Sequence, residues 1–243
     1  MSQRRSLARL TAHADKVLDR VGILANPYLN DLAAGGMTME SFRRTQTQFF
    51  WAVTFYPRPM AALVARIPEP QMRLDILRNL IEEHGEFSAQ AFHRSTFLRF
   101  LRLIGGDTKN VDKLFLWPEV RAFNSVLIAA CIHDELEVGV GCMGIIEYAF
   151  AGVSQAIANA IVRRGWLSKD RLVHYSLHAA IDKRHAQDFF KVLAPRWDKP
   201  ERRYYIEQGL ELGAYVFDRL YRDLHASGRK PERTQTRNLL PPN

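Results

Sequence analysis

Apolar residues recur at three- and four-residue spacings along most of the chain, which is the pattern of amphipathic helices. The pattern predicts a first helix from Leu7 to Ile23. A second runs from Thr38, its predicted cap, toward Leu63. Pro57 and Pro59 should bend or break this second helix, because proline lacks a backbone donor and clashes with the preceding turn.

Prolines open and glycines close several of the later helical patterns. No segment alternates apolar and polar residues as a half-buried strand does, and no short internal repeat is present. The sequence therefore predicts an all-α fold, a single bundle of seven to eight helices. The later helices are predicted from Pro68 to Glu83, from about His93 to Gly105, from Pro118 to Ile132, from Leu136 to Val162, from Ser168 to about Leu193, and from Pro200 to Leu224.

The composition supports one folded domain, placed at residues 1–227 and followed by a basic tail, residues 228–243, that we expect to be disordered. Of 243 residues, 47% are hydrophobic and 25% are charged, as in ordinary globular proteins. The formal net charge of +8 arises largely at the two ends. Since no nucleic-acid-binding motif accompanies this charge, we expect no nucleic-acid partner. A positive net charge is compatible with an acidic small-molecule substrate.

The two cysteines, Cys131 and Cys142, lie in apolar helical stretches. Their setting predicts small buried hydrophobic residues in a reducing compartment. The chain opens with polar and basic residues, and no run reaches the roughly 18 uninterrupted apolar residues of a membrane helix. We therefore expect a cytoplasmic protein without a membrane partner.

His178, Asp182 and His185 lie on one predicted helix, within about 60° of one another around its axis. One helix face then presents two imidazoles and a carboxylate. These nitrogen and oxygen donors suit iron or manganese, since no thiolate favours zinc or copper. The alternative is a solvated polar face, with Asp182 paired to Lys183 or Arg184.

Glu147 stands in a run of small and apolar residues. Burying an unpaired carboxylate costs several kcal/mol, so its charge should be neutralised by a metal, another cation or a proton. No lysine or arginine occurs between Arg121 and Arg163. A salt-bridge partner, the alternative to a metal, must therefore come from another helix.

A third group of candidate ligands comprises Glu82, Glu83 and Glu86, followed by His93. Acidic residues at the C-terminal end of a helix oppose its dipole unless a positive charge compensates them, as a metal would. A solvated helix end is the alternative, and it accounts well for Glu82 and Glu86.

Together these groups supply three carboxylates and three imidazoles on at least three helices, which is the donor set of a two-iron carboxylate site. Two such non-haem iron ions bind dioxygen as a co-substrate inside a bundle that excludes water. The six candidate ligands, which are also the candidate catalytic residues, are Glu83, His93, Glu147, His178, Asp182 and His185.

The sequence resembles the haem-oxygenase-like diiron oxidases, a branch of the TenA/PqqC-like helical superfamily often called iron-containing redox enzymes. The family pattern is a glutamate, a histidine about ten residues later, an isolated glutamate, and then His-x3-Asp-x2-His. The six candidate ligands fill these places, and the resemblance covers about residues 40 to 225.

The resemblance implies a compact helical bundle, two irons, oxygen activation and a homodimer. It also implies oxidase or oxygenase activity on a small carboxylate-bearing substrate, such as a fatty-acid or amino-acid derivative. The sequence departs from the family in two places. The loop between Glu83 and His93 lacks the Gly-Asp-Pro-like sequence that is common in relatives, so Glu86 is an alternative to Glu83 as the ligand. Glu86 stands seven residues before His93, a spacing that also occurs in the family. Ile157 replaces a lysine that is functional in one relative, so that relative's chemistry does not carry over.

Two other functions stay open. One is a metal-independent TenA/PqqC-like enzyme, although neither cysteine has the setting of the nucleophile that the thiaminase branch uses. The other is a non-enzymatic helical binding module. His174 is a reserve ligand or a hydrogen-bonding neighbour of the ligands, while Tyr56, Tyr148 and Tyr175 are either pocket residues or aromatic core.

Overall fold

The computed structural model describes residues 2–230, and for residues 2, 173 and 176–181 it describes the backbone only. This part of the chain contains ten α-helices and no strand. The all-α fold class is therefore confirmed. The helices are α1 (Ser2–Val21), α2 (Pro27–Ala34), α3 (Met39–Phe55), α4 (Pro57–Arg66), α5 (Pro70–Glu83), α6 (His93–Leu103), α7 (Pro118–Ile132), α8 (Leu136–Arg163), α9 (Val173–Leu193) and α10 (Pro200–Gly228).

Several helices begin at the predicted proline or capping residue. Helix α9 is an exception: it begins at Val173 and not at Ser168, because Lys169–Arg171 forms a separate 3-10 turn. Proline opens α4, α5, α7 and α10, and the Thr38 side chain accepts a hydrogen bond of 3.1 Å from the backbone N–H of Ser41 at the start of α3. The count exceeds the predicted seven to eight for two reasons. The chain breaks between α3 and α4 at Pro57, and α2, capped by Asn26, is too short to show a periodic apolar pattern.

Helix α8 is the centre of the bundle and packs mainly against α9 and α10. In the described part of the chain, α8 is the one helix long and apolar enough to cross a membrane. However, 83% of its most apolar window is buried inside the protein. Its hydropathy is therefore that of a core helix, and Glu147 is buried near its middle.

Glycines allow α10 to approach α8 closely. A Cβ atom on Gly209 would collide with the backbone of Val138, and one on Gly213 would collide with the backbone of Cys142. Both collisions involve main-chain atoms, which cannot move aside as a side chain can. The close contact fixes the height and rotation of α8, and hence the place of Glu147.

Cys131 and Cys142 are free and fully buried. Burial raises the pKa of the Cys131 thiol to about 12 and that of Cys142 well above its usual value. Both thiols are thus protonated, apolar core groups, as predicted. Most of the predicted basic tail, residues 231–243, lies outside the described residues, and the proposed domain boundary stays a prediction.

Candidate metal centre

Three of the predicted ligands, each from a different helix, meet in the core. Glu83 ends α5, Glu147 lies in the middle of α8, and His185 lies in α9. One donor atom from each residue lies within 4.8 Å of a donor atom from the other two, and all three side chains are buried. Residues more than 100 positions apart therefore form one cluster.

His93, the first residue of α6, joins the cluster through Glu83. Its Nδ1 atom lies 2.6 Å from Glu83 Oε2, and both side chains are buried. A 3-10 turn, Gly85–Phe87, reverses the chain between α5 and α6, and its three residues have left-handed backbone angles. A Cβ atom on Gly85 would collide with the backbone of Ala91, so this tight turn requires glycine.

The same turn decides between the two candidate glutamates. Glu86 has φ 50° and is exposed to solvent, whereas Glu83 is 5% exposed and contacts His93. The structure therefore brings Glu83, and not Glu86, to the cluster.

Asp182 lies one helical turn before His185 and is completely buried. Its Oδ1 atom is 4.0 Å from His185 Nδ1. The predicted shared face of α9 thus carries Asp182 and His185 toward the cluster. The side chain of His178 lies outside the described residues, so its place in the site stays a prediction.

The two nitrogens of His185 face different carboxylates. Its Nε2 atom lies 2.7 Å from Glu82 Oε2, which also accepts a hydrogen bond from Arg184. Its Nδ1 atom points to Glu147 Oε2 at 3.7 Å, too far for a hydrogen bond. The ring is therefore anchored on one side and open to the cluster on the other.

The interpretation of Glu82 as a solvated helix end was wrong. The last turn of α5 packs against α9, so the Glu82 side chain is only 17% exposed and contacts His185. Asn79, one turn earlier and fully buried, donates a hydrogen bond of 3.3 Å to the backbone carbonyl of His185. The sequence did not predict either contact, although the adjacent acids Glu82 and Glu83 indicated a functional region.

Burial changes the pKa values of the ionisable side chains in the cluster. Burial raises the pKa of Glu147 to about 7, and the carboxylates of Asp182 and Glu83 add to the increase. Burial also raises the pKa of Asp182 well above its usual range. For His185, burial lowers the pKa, but the carboxylates of Glu147 and Glu82 outweigh it and raise the pKa to about 10. Without a metal, the cluster therefore retains protons.

Two atoms of the cluster that could ligate a metal form no hydrogen bond with the described part of the chain. Glu147 Oε1 and His185 Nδ1 are buried and have no hydrogen-bond partner among the described side and main chains. Orphaned polar atoms in a core are costly unless a ligand or ion satisfies them. Their carboxylate and imidazole chemistry matches iron, and the residues present therefore fit the metal that the sequence predicts.

A small cavity of about 40 Å³ adjoins the cluster. None of its lining residues is a lysine or arginine. Tyr56 lines it, and its hydroxyl donates a hydrogen bond of 3.1 Å to the carbonyl of Met143. Burial and the nearby Glu147 and Glu83 raise the Tyr56 pKa well above its usual value, so this phenol stays neutral. The lining residues are Phe49, Ala52, Val53, Tyr56, Glu83, His93, Phe123, Ile146, Glu147, Phe150 and Phe217.

Three other candidate side chains, those of His174, Tyr175 and Tyr148, lie outside the cluster. The His174 ring lies 6.3 Å from the His93 ring, and its Nδ1 atom is 3.1 Å from the hydroxyl of Thr96. Tyr175 is buried and donates to Gln46. Tyr148 instead donates to Asp15, a partly exposed contact, so it does not face the cavity. His174 thus packs beside His93, one of the predicted ligands.

Comparison with known proteins identifies relatives of this arrangement. The model of a family described as iron-containing redox enzymes matches residues 43–215. A 4-aminobenzoate synthase from Nitrosomonas europaea is 22% identical over 200 residues, covering 78% of this chain and 80% of that protein. A 4-aminobenzoate synthase from Chlamydia muridarum is 19% identical over 175 residues, covering 72% and 73%.

Solved structures share the fold at low sequence identity. A protein with a haem-oxygenase-like fold from Shewanella denitrificans superposes with a TM-score of 0.69 at 15% identity, covering 93% of both chains. A TenA homologue from Pseudomonas syringae pv. tomato has a TM-score of 0.70 at 11% identity, again covering 93% of both chains. The predicted haem-oxygenase-like, TenA/PqqC-like bundle is therefore confirmed.

Proposed function

The chain belongs to the family of iron-containing redox enzymes, and we propose that it is a non-haem diiron, dioxygen-dependent oxidase or oxygenase. We propose a small carboxylate-bearing substrate. The observation that carries this proposal is the buried meeting of Glu83, Glu147 and His185, with His93 and Asp182 in contact with them.

The donor set supports two ions better than one. Three carboxylates and two described imidazoles crowd into a buried volume, and His178 would add a third imidazole from α9. With neutral histidines the carboxylates carry three negative charges, which two ferrous ions would more than offset. When bound, the iron pair would supply the capacity to reduce dioxygen and oxidise an organic substrate. Glu83, His93, Glu147, His178, Asp182 and His185 would hold it.

The protein around the site controls water and orientation. Aromatic and aliphatic side chains form the cavity wall beyond Glu83, His93 and Glu147, so an oxidising centre there is shielded from bulk solvent. Glu82 and Asn79 hold α9 and the ring of His185 against α5. The neutral phenol of Tyr56 also lines the cavity; its hydroxyl donates to the Met143 carbonyl, so its oxygen is left to accept a hydrogen bond from a substrate.

Two observations support the proposed substrate class, one from the cavity wall and one from the relatives. An apolar wall accepts a hydrocarbon or aromatic body. The lining residues of the cavity include no lysine or arginine. The carboxylate of a substrate bound there would therefore interact with the positive charge of the metal ions. The name of the curated relatives, 4-aminobenzoate synthase, associates this scaffold with an aromatic acid. Fatty, amino and aromatic acids are therefore the first substrates to test.

The proposal is tested by loading the purified chain with ferrous iron under anaerobic conditions, measuring iron per chain, and then measuring oxygen uptake with each acid. We expect about two irons per chain, and uptake that depends on one of the acids. Substitution His178→Ala or Asp182→Ala should abolish uptake while circular dichroism stays helical. A chain that binds no iron, or variants with undiminished uptake, would exclude this function.

The main alternative is a metal-independent enzyme on the same fold. It lacks support from the cysteines, since both thiols are buried and protonated. It also leaves Glu147 Oε1 and His185 Nδ1 without a partner among the described residues. The cytoplasmic location and the homodimer stay proposals. Size-exclusion chromatography with light scattering would test whether the chain forms a homodimer.

A further inference from the structure

A second cavity, which we call the arginine cleft, lies on the other side of α3 from the candidate metal centre. It encloses about 480 Å³. Helix α3 separates the two spaces, because Phe49 and Val53 face the metal cavity whereas Phe50 and Thr54 face the cleft. The start of α4, the start of α6 and one face of α7 complete its walls. The lining residues are Phe50, Trp51, Thr54, Phe55, Arg58, Arg94, Asp112, Leu116, Arg121, Asn124, Ser125 and Ile128.

The cleft is positively charged. Three arginines line it, and the one acidic lining residue, Asp112, pairs with Arg94 at 3.1 Å. Arg58 and Arg121 are exposed, and within the described part of the chain neither has a carboxylate partner. Two guanidinium groups are therefore available to bind an anion, and arginine binds carboxylates in a bidentate geometry.

The floor of the cleft is apolar and aromatic. Phe50, Trp51, Phe55, Leu116 and Ile128 contribute its hydrocarbon surface. The guanidinium carbon of Arg58 lies 5.7 Å from the centroid of the Phe55 ring, and that of Arg94 lies 5.4 Å from the centroid of the Phe50 ring. These cation–π contacts hold the charged groups at the edge of the apolar surface.

We propose that the arginine cleft is a second ligand site, for an amphipathic carboxylate with an aliphatic or aromatic body. The body would cover the floor, and the carboxylate would bind Arg58 and Arg121. A free phosphate would leave the floor exposed, and an uncharged hydrocarbon would leave both guanidiniums without a partner. Because α3 separates the cleft from the metal centre, this site does not depend on the proposed oxidase activity.

The cleft also shares an element with the metal centre. Arg94 directly follows His93 at the start of α6, so neighbouring residues point to the two spaces. A ligand in the cleft would therefore lie beside the start of α6, where His93 is located.

The proposal is tested on the full-length chain without iron, so that its result is independent of metal chemistry. Dodecanoate, below its micellar concentration, is titrated calorimetrically into the wild type and into an Arg58→Gln/Arg121→Gln variant. Loss of both guanidiniums should weaken binding at least about tenfold. The matched control, Arg99→Gln/Arg163→Gln, removes the same charge from two exposed arginines outside the cleft and should bind like the wild type.

The place of binding is checked with a diazirine-bearing dodecanoate, followed by peptide mass spectrometry. Label in residues 50–58 and 121–128 is expected, and methyl dodecanoate should not compete for it. Label confined to residues 143–150, beside the metal cavity, would overturn the proposal. Equal weakening in both double variants would also overturn it, because general charge attraction would then explain the binding. Circular dichroism verifies that each variant is folded.

Discussion

The Nε2 atom of His185 lies 2.7 Å from the carboxylate of Glu82, a residue on a different helix. This contact assigns the nitrogen that keeps its proton when a metal binds, because a carboxylate accepts and the ring must donate. Nδ1, which faces Glu147 and Asp182, is then left with its lone pair for a metal ion. A carboxylate behind a metal-binding histidine fixes both the tautomer and the orientation of the ring.

Removing this carboxylate should therefore weaken iron binding without removing a ligand. Glu82→Ala is expected to lower iron affinity about 10- to 100-fold, measured by competition with a chelator under anaerobic conditions. Arg184→Gln serves as the control, since it breaks the partly exposed ion pair to Glu82 but keeps the carboxylate. Equal losses in the two variants would show that the ion pair, and not the contact with His185, is what matters.

The two candidate glutamates can be separated by mutation. Glu83→Ala should remove bound iron, because it deletes a buried donor and the hydrogen-bond partner of His93. Glu86→Ala should leave the iron content unchanged, because the Glu86 side chain is exposed. Metal analysis of both purified variants measures the difference. Loss of iron in Glu86→Ala alone would mean that the loop rearranges to supply Glu86 as the ligand.

Asp182→Asn should have opposite effects on the metal-free and iron-loaded forms. Burial raises the pKa of Asp182, so its ionised form destabilises the metal-free core near neutral pH. The amide removes that cost, and the free energy of unfolding should rise by on the order of 1 kcal/mol. Iron content should fall at the same time. Urea denaturation of iron-free protein measures the first effect, and a decrease in stability there would contradict this assignment.

The pH dependence of the metal-free protein follows from Glu147 and His185. Both pKa values are raised in the folded state, to about 7 and about 10, so the folded protein holds more protons than the unfolded chain. The resulting stability is complete at acidic pH and is lost as the pH rises. The stability that Glu147 contributes is lost between its ordinary pKa of 4.5 and about 7. The stability that His185 contributes is lost between 6.5 and about 10.

Denaturation across this pH range measures the loss. Glu147→Gln should flatten the curve between about pH 4.5 and 7, and it should also reduce the loss at higher pH, because the Glu147 carboxylate is the largest cause that raises the His185 pKa. Iron binding should release protons, because a metal ion replaces them on the same atoms. Calorimetry in buffers of different ionisation enthalpy counts the protons released. A stability that rises with pH through this range would contradict the buried, protonated cluster.

Gly213 tests the packing that positions Glu147. Gly213→Ala should destabilise the protein by about 1–3 kcal/mol, because the new Cβ atom collides with the backbone of α8. Gly152→Ala is the control, since its Cβ atom would meet only the flexible end of Leu24 at 3.2 Å. Thermal unfolding measures both. Equal, small effects would mean that α8 and α10 can separate at little cost.

The sequence predicted the elements that local rules determine. The helix Pro118–Ile132 has the predicted bounds, and α8 ends one residue beyond its prediction, because proline and glycine positions and apolar periodicity act within one turn. The convergence of Glu83, Glu147 and His185 was also predicted, from charge in apolar surroundings, from helical spacing and, for Glu83, from the family resemblance, which left Glu86 as the alternative.

Contacts between helices were not predictable from the same rules. Whether Glu82 faces solvent or α9 depends on the rotation of α5 about its axis, which its mixed pattern does not determine. The arginine cleft likewise joins three arginines from α4, α6 and α7. Each looks like an ordinary surface residue in the sequence, and only the tertiary fold shows that they share an apolar floor.

The 40 Å³ beside the cluster corresponds to roughly one water molecule of liquid volume. A diatomic gas fits into that void, but a fatty or aromatic acid does not. We therefore expect an organic substrate to displace aromatic lining residues such as Phe49, Phe150 or Phe217 when it enters, and this movement would limit turnover where it is slower than the chemistry. Solvent viscosity, which slows such movements without altering bond chemistry, should then slow the enzyme.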